Sequence, residues 1–351
     1  MSAPARPIRV LVCEDSRVYS VALQRTLEYE GDIAVAAICP SAEQALALLS
    51  GLEPDLVTMD LELPGMNGLE AVEQIMAARP TPILVLSSHV EAQSDTAAAA
   101  LAAGALEARS KDDLDLTRPD GAAAAAFRRR VRLLARARVI RHPRARLRRP
   151  RPPAASRGRR TVAAAGVVAS TGGPQALAAV LGALPADYPV PLLVVQHIAS
   201  GFIEGLVRWL DATVALPARL ATDGALLATG ITVAPEGAHL KLGRSGHLVL
   251  DRNGNGGLHR PSGDVLLDSL ADSLGAEAAA IVLTGMGRDG AAGAARVHRA
   301  GGLVIAQDEG SAAVYGMPKA TAELGVDVVA SPEEIGEVLA SLEPARRPRR
   351  R

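Results

Sequence analysis

The chain has 351 residues, of which 48% are hydrophobic, 22% are charged and only 2% are aromatic, and its formal net charge is zero. This length predicts two domains, and the scarcity of aromatic side chains argues against a protein that stacks on nucleic-acid bases. Two cysteines exclude a disulfide framework, and neither a signal peptide nor an apolar run of membrane length is visible. We therefore expect a cytoplasmic protein with no direct membrane insertion.

Charged residues divide the chain into three regions. Residues 1–117 carry 7 basic and 18 acidic side chains. Residues 118–160 carry 16 basic side chains and 1 acidic side chain, and residues 161–351 carry 15 basic and 19 acidic side chains. The basic region is rich in arginine and proline, and no DNA-binding motif accompanies it, which favours a spacer over a nucleic-acid-binding segment. The predicted boundaries are a first domain at 1–117, an exit helix and linker at 118–160, a second domain at 161–342 and a basic tail at 343–351.

In the first region, short apolar runs alternate with helical patterns. The predicted strands are IRVLVC, IAVAAIC, DLVTMD, PILVLSS and LEAR. The helices predicted between them lie in SRVYSVALQRTLEYEG, SAEQALALLSG, NGLEAVEQIMAARP and SDTAAAALAAGA, with Ser41 as an N-cap. This alternation predicts an α/β domain with a doubly wound, parallel, five-stranded sheet. A further helix, in AAAAAFRRRVRLLARAR, is predicted to leave the domain.

Polar side chains stand at the carboxyl ends of the predicted strands of this domain, namely Glu14, Asp15, Asp60, Ser87 and Lys111. These strand ends share one crevice in a doubly wound sheet. Three carboxylates suit Mg²⁺, and a lysine and a hydroxyl could hold a phosphoryl group on Asp60. Acidic residues that merely cap strand ends are the alternative, but the matching positions together with LPGMNG favour a phosphorylation site.

These motifs resemble those of the response-regulator receiver family over about residues 8–117. The resemblance implies that Asp60 is the phospho-acceptor and that Glu14 and Asp15 bind Mg²⁺ together with Asp60. It also implies that Ser87 and Lys111 contact the phosphoryl group.

The third region begins a second alternation of strands and helices. Its predicted strands are TVAAAGVVAS, VPLLVVQH, AAIVLTG and GLVIAQD, with two shorter, hairpin-like strands in GITVAPEG and HLVLD. One predicted helix starts at Pro174, and others lie in DVLLDSLADSLG, AAGAARVHRAG and SPEEIGEVLASL, the last with Ser331 as N-cap. The pattern predicts a second α/β domain with a mostly parallel sheet.

The stretch ASTGGPQAL turns from a predicted strand into a helix and carries Ser170 at the turn. A helix N-terminus favours developing negative charge, which suits a nucleophile and its oxyanion. A serine hydroxyl needs a base, and His197 ends VPLLVVQH; the base needs an orienting carboxylate, and Asp289 lies in LTGMGRDG. Each of the three follows the carboxyl end of a predicted strand, so they could meet at one edge of the sheet.

Other interpretations of these residues stay open at this point. STGGP and GMGRDG could be structural turns, and His197 could be a strand-end histidine without a chemical role. A phosphate-binding loop is a competitor, although the Walker lysine is missing. A metal site at His239, His247 and His259 is disfavoured because their spacing matches no usual zinc pattern.

The motifs ASTGGPQAL, QH, APEGAHL, HRPSGDVLLDSLA, LTGMGRDG and AQDEGSAAVYGMPKA resemble, in this order, the catalytic domain of the chemotaxis protein-glutamate methylesterase/glutaminase family, CheB, over about residues 161–342. The resemblance implies that Ser170 is the nucleophile, that His197 is the general base and acid, and that Asp289 is the orienting carboxylate. It also implies that backbone near Met286 holds the oxyanion, that Thr171 lines the site, and that the hydrolase site uses no cofactor. Methyl esters would release methanol, and certain glutamines would be deamidated.

A receiver joined to a hydrolase predicts regulation, in which phosphorylation of Asp60 opens a cleft around Ser170 that the unphosphorylated receiver covers. The implied partners are chemoreceptor cytoplasmic domains as substrate and a chemotaxis-type histidine kinase as phosphodonor, with no nucleic acid. The alternative is a receiver-controlled binding or adaptor protein whose methylesterase-like domain is inactive. A DNA-binding response regulator is disfavoured because the third region is slightly acidic and shows no helix-turn-helix pattern.

Several positions depart from the two family patterns without removing a residue that has an implied chemical role. Asp112 replaces a usual proline and Ala108 a common aromatic switch residue, which concerns how the receiver transmits its signal. In the catalytic region the departures concern receptor specificity and are Ile198, Ala199, Ile203, Trp209, Gly263 and Leu267.

Overall fold

The computed structural model describes residues 6–88, 90–139, 160–254 and 259–345. The chain divides into two compact units, unit 1 at residues 1–145 and unit 2 at residues 146–351. Residues 140–159 of the predicted linker and residues 346–351 of the predicted tail lie outside the described residues.

Unit 1 contains a five-stranded sheet in the order β2-β1-β3-β4-β5, and all of these neighbouring pairs are parallel. Its strands are β1 (Ile8–Cys13), β2 (Ile33–Cys39), β3 (Leu56–Asp60), β4 (Ile83–Ser87) and β5 (Glu107–Ser110). Its helices are α1 (Arg17–Glu28), α2 (Ala42–Leu52), α3 (Gly68–Ala78), α4 (Val90–Ala103) and α5 (Ala122–Leu134). The predicted doubly wound sheet is confirmed, and its winding reverses between β1 and β3.

Helix α5 is part of unit 1, whereas the sequence interpretation placed it in an exit segment within 118–160. The apolar side chains that it buries are Ala124, Phe127, Val131 and Leu134. Arg128 is 1% exposed and donates hydrogen bonds to the carboxylate of Glu30 and to the carbonyl oxygen of Thr26. The high local charge suggested a solvated linker, but this arginine instead anchors the helix to the end of α1.

Unit 2 contains a seven-stranded sheet in the order β15-β14-β13-β7-β8-β10-β9, in which every neighbouring pair of the described strands is parallel. The strands of this sheet are β7 (Ala164–Ala169), β8 (Leu192–Gln196), β9 (Ala218–Leu220), β10 (Ile231–Val233), β13 (Ala278–Val282), β14 (Leu303–Gln307) and β15 (Val328–Ala330). Two smaller sheets pair β11 (His239–Leu242) with β12 (Leu248–Asp251), and β6 (Thr161–Val162) with β16 (Glu343–Pro344). The helices are α6 (Gly173–Gly182), α7 (Ile203–Thr213), α8 (Gly263–Leu274), α9 (Ala291–Arg299), α10 (Met317–Leu324) and α11 (Pro332–Ala340).

Three local predictions for unit 2 were wrong. TVAAAGVVAS forms two strands, because β6 pairs with β16 while β7 lies in the large sheet. GITVAPEG contributes β10, which is parallel to β8 and β9 and is not part of a hairpin. The predicted basic tail begins with β16, which continues the folded unit. Each error concerns which strand pairs with which, and distant contacts decide that choice.

The central strands of the large sheet are buried on both faces and consist of small and branched aliphatic residues, except for the glutamines that end β8 and β14. From β7 the chain first winds towards β8 and later returns to β13 on the other side of β7. This reversal opens a crevice at the carboxyl ends of β7, β8 and β13, where open α/β sheets place their sites.

Candidate active site

Ser170 lies at the turn between β7 and α6, at the carboxyl edge of the large sheet. Its N–H donates to the carbonyl oxygen of Thr284 at 3.0 Å, and its own carbonyl oxygen accepts from the N–H of Gly173 at 2.8 Å. Gly172, the N-cap of α6, has a φ of 71°, a left-handed conformation that suits glycine and makes the turn tight. The backbone around the serine is therefore fixed from both sides.

His197 follows β8, the strand next to β7. The register pairs Ala169 with Gln196, and the N–H of His197 donates to the carbonyl oxygen of Ala169 at 2.9 Å. Parallel pairing thus brings the residues that follow the two strands, Ser170 and His197, to neighbouring positions.

Asp289 lies in the loop after β13, and its Oδ2 is 2.8 Å from Nε2 of His197. When Nε2–H of a neutral imidazole faces a carboxylate, Nδ1 is the nitrogen that can accept a proton. The pair therefore has the arrangement that a general base requires, in which a carboxylate fixes the tautomer and orientation of the ring.

The carboxylate of Asp289 is held by hydrogen bonds from the start of α8. Its Oδ1 accepts from the Ser262 hydroxyl at 2.8 Å and from the N–H of Asp264 at 3.0 Å, and its Oδ2 accepts from the N–H of Gly263 at 2.6 Å. Burial alone would raise the pKa of Asp289, but hydrogen bonds from His197 and from these two backbone N–H groups outweigh burial and hold the pKa well below its usual range. Asp289 is thus ionised beside the imidazole ring of His197.

Gln196, the last residue of β8, joins the segments that carry the serine and the histidine. Its Nε2 donates at 2.8 Å to the carbonyl oxygens of both Ser170 and His197. The residue is 2% exposed, so these hydrogen bonds are shielded from water. On the other side of the serine, the Thr284 hydroxyl donates to the carbonyl oxygen of Thr171 at 3.0 Å.

A cavity of about 200 Å³ lies beside His197. Its lining includes Ser200, Glu236, His259, Arg260 and Pro261. The rings of His197 and His259 are stacked, with centroids 4.4 Å apart and planes inclined by 16°. The cavity therefore offers polar and charged groups next to His197.

Unit 1 also carries polar residues at the carboxyl edge of its sheet. Glu14 and Asp15 follow β1, Asp60 ends β3, and one carboxylate oxygen of each lies within 4.8 Å of the others. The glycine at position 68 is required because a Cβ there would lie 2.0 Å from the carbonyl oxygen of Asp60. Ser87 ends the neighbouring strand β4 and is buried. Clustered carboxylate oxygens fit a hard divalent cation such as Mg²⁺.

Lys111, directly after β5, binds two of these carboxylates. Its Nζ is 2.6 Å from Oδ2 of Asp60 and 2.6 Å from Oε2 of Glu14. Burial lowers the pKa of Lys111, but its hydrogen bonds to the two carboxylates raise the pKa by more. Burial raises the pKa of Glu14 in spite of this contact. The ammonium also lies 4.7 Å from the centroid of the Tyr19 ring, a cation–π contact.

Two family sequence models match the chain. The model described as CheB methylesterase matches residues 165–339, and the model described as Response regulator receiver domain matches residues 10–115. A relative from Anaeromyxobacter dehalogenans (strain 2CP-C), named protein-glutamate methylesterase/protein-glutamine glutaminase 3, is 42% identical over 95% of this chain and 98% of its own length. This chain belongs to the protein-glutamate methylesterase/protein-glutamine glutaminase family.

One further relative and one solved structure are also similar to the chain. A protein of the same name from Myxococcus xanthus (strain DK1622) is 42% identical over 94% of this chain and 93% of its own length. The crystal structure of the Thermotoga maritima CheB methylesterase catalytic domain is 37% identical, covers 51% of this chain and 98% of that chain, and gives a TM-score of 0.49. Within the part of the chain that the structure describes, no helix is both long and apolar enough to cross a membrane.

The structure brings most of the predicted site residues of this family member into two groups. Ser170, His197 and Asp289 lie at one edge of the large sheet, with Thr171 next to the serine and Met286 in the loop between β13 and Asp289. The second group consists of Glu14, Asp15, Asp60, Ser87 and Lys111 at the edge of the smaller sheet.

Sequence analysis assigned no role in these groups to several residues whose side chains contact them, among them Tyr19, Gln196, His259 and Ser262. One signal was available for Ser262, because a serine just before the apolar periodicity of DVLLDSLADSLG is a typical N-cap. The other three act through tertiary contacts that no local pattern marks.

Proposed function

We propose that this chain is a phosphorylation-regulated serine hydrolase that removes methyl esters from glutamate side chains of chemoreceptors and deamidates specific glutamines. The observation that carries the proposal is the His197–Asp289 contact beside the Ser170 turn, in a member of the methylesterase/glutaminase family. All three side chains are present at one sheet edge, which argues against an adaptor with an inactive hydrolase domain.

In the proposed first step, Oγ of Ser170 attacks the ester carbonyl carbon while His197 takes the hydroxyl proton. Nδ1 is the nitrogen that takes it, because Nε2 faces Asp289. Backbone near Met286 holds the oxyanion, and Thr171 lines the site. As the tetrahedral intermediate collapses, His197 returns the proton to the methoxy oxygen, and methanol leaves an acyl-enzyme.

In the second step, water attacks the acyl carbon while His197 again removes a proton, and the Ser170 oxygen leaves with that proton to restore the free enzyme. A glutamine side chain follows the same course with ammonia as the leaving group. Asp289 remains ionised and stabilises the imidazolium that forms twice in each turnover. These steps need no cofactor at the hydrolase site.

In unit 1, Asp60 is the proposed phospho-acceptor, and Glu14 and Asp15 would hold Mg²⁺ together with it. Mg²⁺, when bound, neutralises charge on the transferred phosphoryl group. Lys111 remains cationic because its contacts raise its pKa, and with Ser87 it would contact the phosphoryl oxygens.

The proposed domain boundaries and partners complete this scheme. Residues 1–117 together with α5 form the receiver, and residues 161–342 together with β16 form the catalytic domain. A chemotaxis-type histidine kinase is the proposed phosphodonor, chemoreceptor cytoplasmic domains are the proposed substrate, and the cytoplasm is the proposed compartment.

The proposal is tested by methanol release from a methylated chemoreceptor cytoplasmic fragment. We expect the Ser170→Ala variant to lose on the order of 10³-fold or more of the rate, while Ser341→Ala, which alters an exposed serine at the end of α11, keeps it. A fluorophosphonate probe should label the wild type and not Ser170→Ala. Labelling without methanol release would contradict the proposed substrate, and the absence of both would contradict the proposed hydrolase.

A further inference from the structure

The six residues 259–264, here called the HRPSGD segment, contact the histidine and the carboxylate of the hydrolase site at the same time. At the start of the segment, the ring of His259 stacks on the ring of His197 at a centroid distance of 4.4 Å. At its end, the Ser262 hydroxyl and two backbone N–H groups donate to Asp289. One short stretch of chain thus contacts both His197 and Asp289.

The segment is itself anchored at both ends. The guanidinium of Arg260 donates to the carbonyl oxygens of Arg252 and Gly254, at 2.5 Å and 2.7 Å. The hydroxyl of Ser262 accepts from the N–H of Val265 and so caps α8. The ring of His259 therefore sits on a supported backbone, which a residue needs if it is to hold a neighbour in place.

A stacked ring supplies what the contact with Asp289 does not. The 2.8 Å contact between Nε2 and the Asp289 carboxylate fixes one point of the His197 ring, but the ring plane can still swing about that point. An aromatic ring parallel to it at van der Waals distance restricts this motion.

We propose that His259 is a positioning residue for the general base, acting through its ring face and taking no proton in the reaction. This inference rests on the proposed function of Ser170, His197 and Asp289. In this inference the first residue of the HRPSGD segment positions His197, and the last three residues of the segment position Asp289. One short segment therefore aligns both the base and its carboxylate.

The test compares three substitutions of this exposed residue in the full chain. Phe keeps a flat ring, Leu keeps apolar bulk without a ring, and Ala removes both. We expect His259→Ala and His259→Leu to lower kcat for methanol release on the order of 10- to 100-fold, with KM nearly unchanged, because misplacing a catalytic group has effects of this size. His259→Phe should restore most of kcat. His247→Ala serves as the control, because this histidine lies by the β11–β12 hairpin and bonds Ser245, and it should match the wild type.

Two outcomes would overturn the inference. If His259→Phe were as slow as His259→Ala, stacking would not be the source of the effect. If KM rose while kcat stayed constant, His259 would be a substrate contact. Should the Ala variant fail to fold in a thermal melt, the difference in kcat between the Phe and Leu variants still decides whether stacking matters.

Labelling of Ser170 by a fluorophosphonate probe separates this inference from the proposed function. If the wild type is labelled but releases no methanol, the proposed substrate is contradicted. If labelling is at the same time slower in His259→Ala and restored in His259→Phe, the positioning role is supported. Equal labelling rates in all variants would contradict the positioning role whatever the wild type does with the receptor.

Discussion

The two sheets place their sites in the same way, yet the two sites differ in how their carboxylates are compensated. In unit 1, three carboxylates cluster, and the Lys111 ammonium contacts two of them, those of Glu14 and Asp60. In unit 2, the single carboxylate of Asp289 receives a hydroxyl, two backbone N–H groups and an imidazole. The same topological position therefore yields an excess of negative charge in one unit and a saturated anion in the other.

The difference shows in the pKa values and in the chemistry that each edge can support. Burial raises the pKa of Glu14, whereas donated hydrogen bonds lower that of Asp289 despite its burial. An under-compensated cluster suits a divalent cation and a phosphoryl group, because both bring the charge or the bonds that the cluster lacks. A saturated carboxylate suits the permanent orientation of a base.

The largest expected effect is that of Asp289→Asn, which keeps the shape of the side chain and removes its charge. The amide would present a donor to groups that are themselves donors, so the tautomer and orientation of His197 would be lost. We expect kcat for methanol release to fall on the order of 10⁴-fold. The exposed Asp272 on α8 pairs with Arg296, and Asp272→Asn should leave kcat unchanged. Comparable rates for the two variants would remove the carboxylate from the proposed mechanism.

The second prediction concerns the charged cluster. Asp60→Asn removes the proposed phospho-acceptor, so stimulation of methanol release by a small-molecule phosphodonor should vanish while the rate without phosphodonor persists. Asp113→Asn, at an exposed aspartate two residues after Lys111, should retain stimulation. Stimulation that survives in Asp60→Asn would show that phosphorylation occurs elsewhere or that the phosphodonor acts without it.

The third prediction compares two buried glutamines of unit 2. Gln196 bonds the carbonyl oxygens of Ser170 and His197, whereas Gln307 bonds the N–H of Thr284 and the hydroxyl of Ser311. Substitution of either by Leu leaves buried polar groups unpaired, at a cost of about 1–3 kcal/mol in the free energy of unfolding.

The Gln196→Leu substitution should in addition lower kcat on the order of 10- to 100-fold, because both catalytic segments lose a shared support. Urea unfolding and methanol release measured on the two variants separate these effects. If Gln307→Leu lowered kcat as much as Gln196→Leu, general loosening of the sheet edge would explain both results.

The smallest expected effect is on the pH dependence of stability. Because the folded-state pKa of Asp289 lies below that of the unfolded chain, its ionised form stabilises the fold above a pH of about 4 and loses this contribution as the pH falls further. At neutral pH, the free energy of unfolding of the wild type should therefore be about 1–3 kcal/mol larger than that of Asp289→Asn. Urea unfolding of both proteins at a series of pH values from 7 downwards should show that this difference in stability narrows below about pH 4. A gap that already narrows near pH 6 would contradict the lowered pKa.

Local sequence patterns predicted many of the elements, and the failures have a common physical cause. Strands such as β1, β3 and β8 were predicted because each is a short, mostly apolar run between turns. Helix α5 was predicted as a helix but assigned to the wrong part of the chain, because distant contacts such as that of Arg128 with Glu30 show that it packs on unit 1. The partner of β6 lies nearly the whole length of unit 2 away, so no window of sequence could indicate it.

For the sites, the sequence by itself determined the candidate reacting groups and the sheet edges at which they lie. A hydroxyl, an imidazole and carboxylates at strand ends are read directly from residue type and position, because parallel strands end on the same side of a sheet. Tertiary structure decided what supports those groups. The stacking of His259, the shared hydrogen bonds of Gln196 and the capping of Asp289 by α8 depend on distances between segments far apart in the chain. Such contacts are set by packing, and packing is a property of the whole fold.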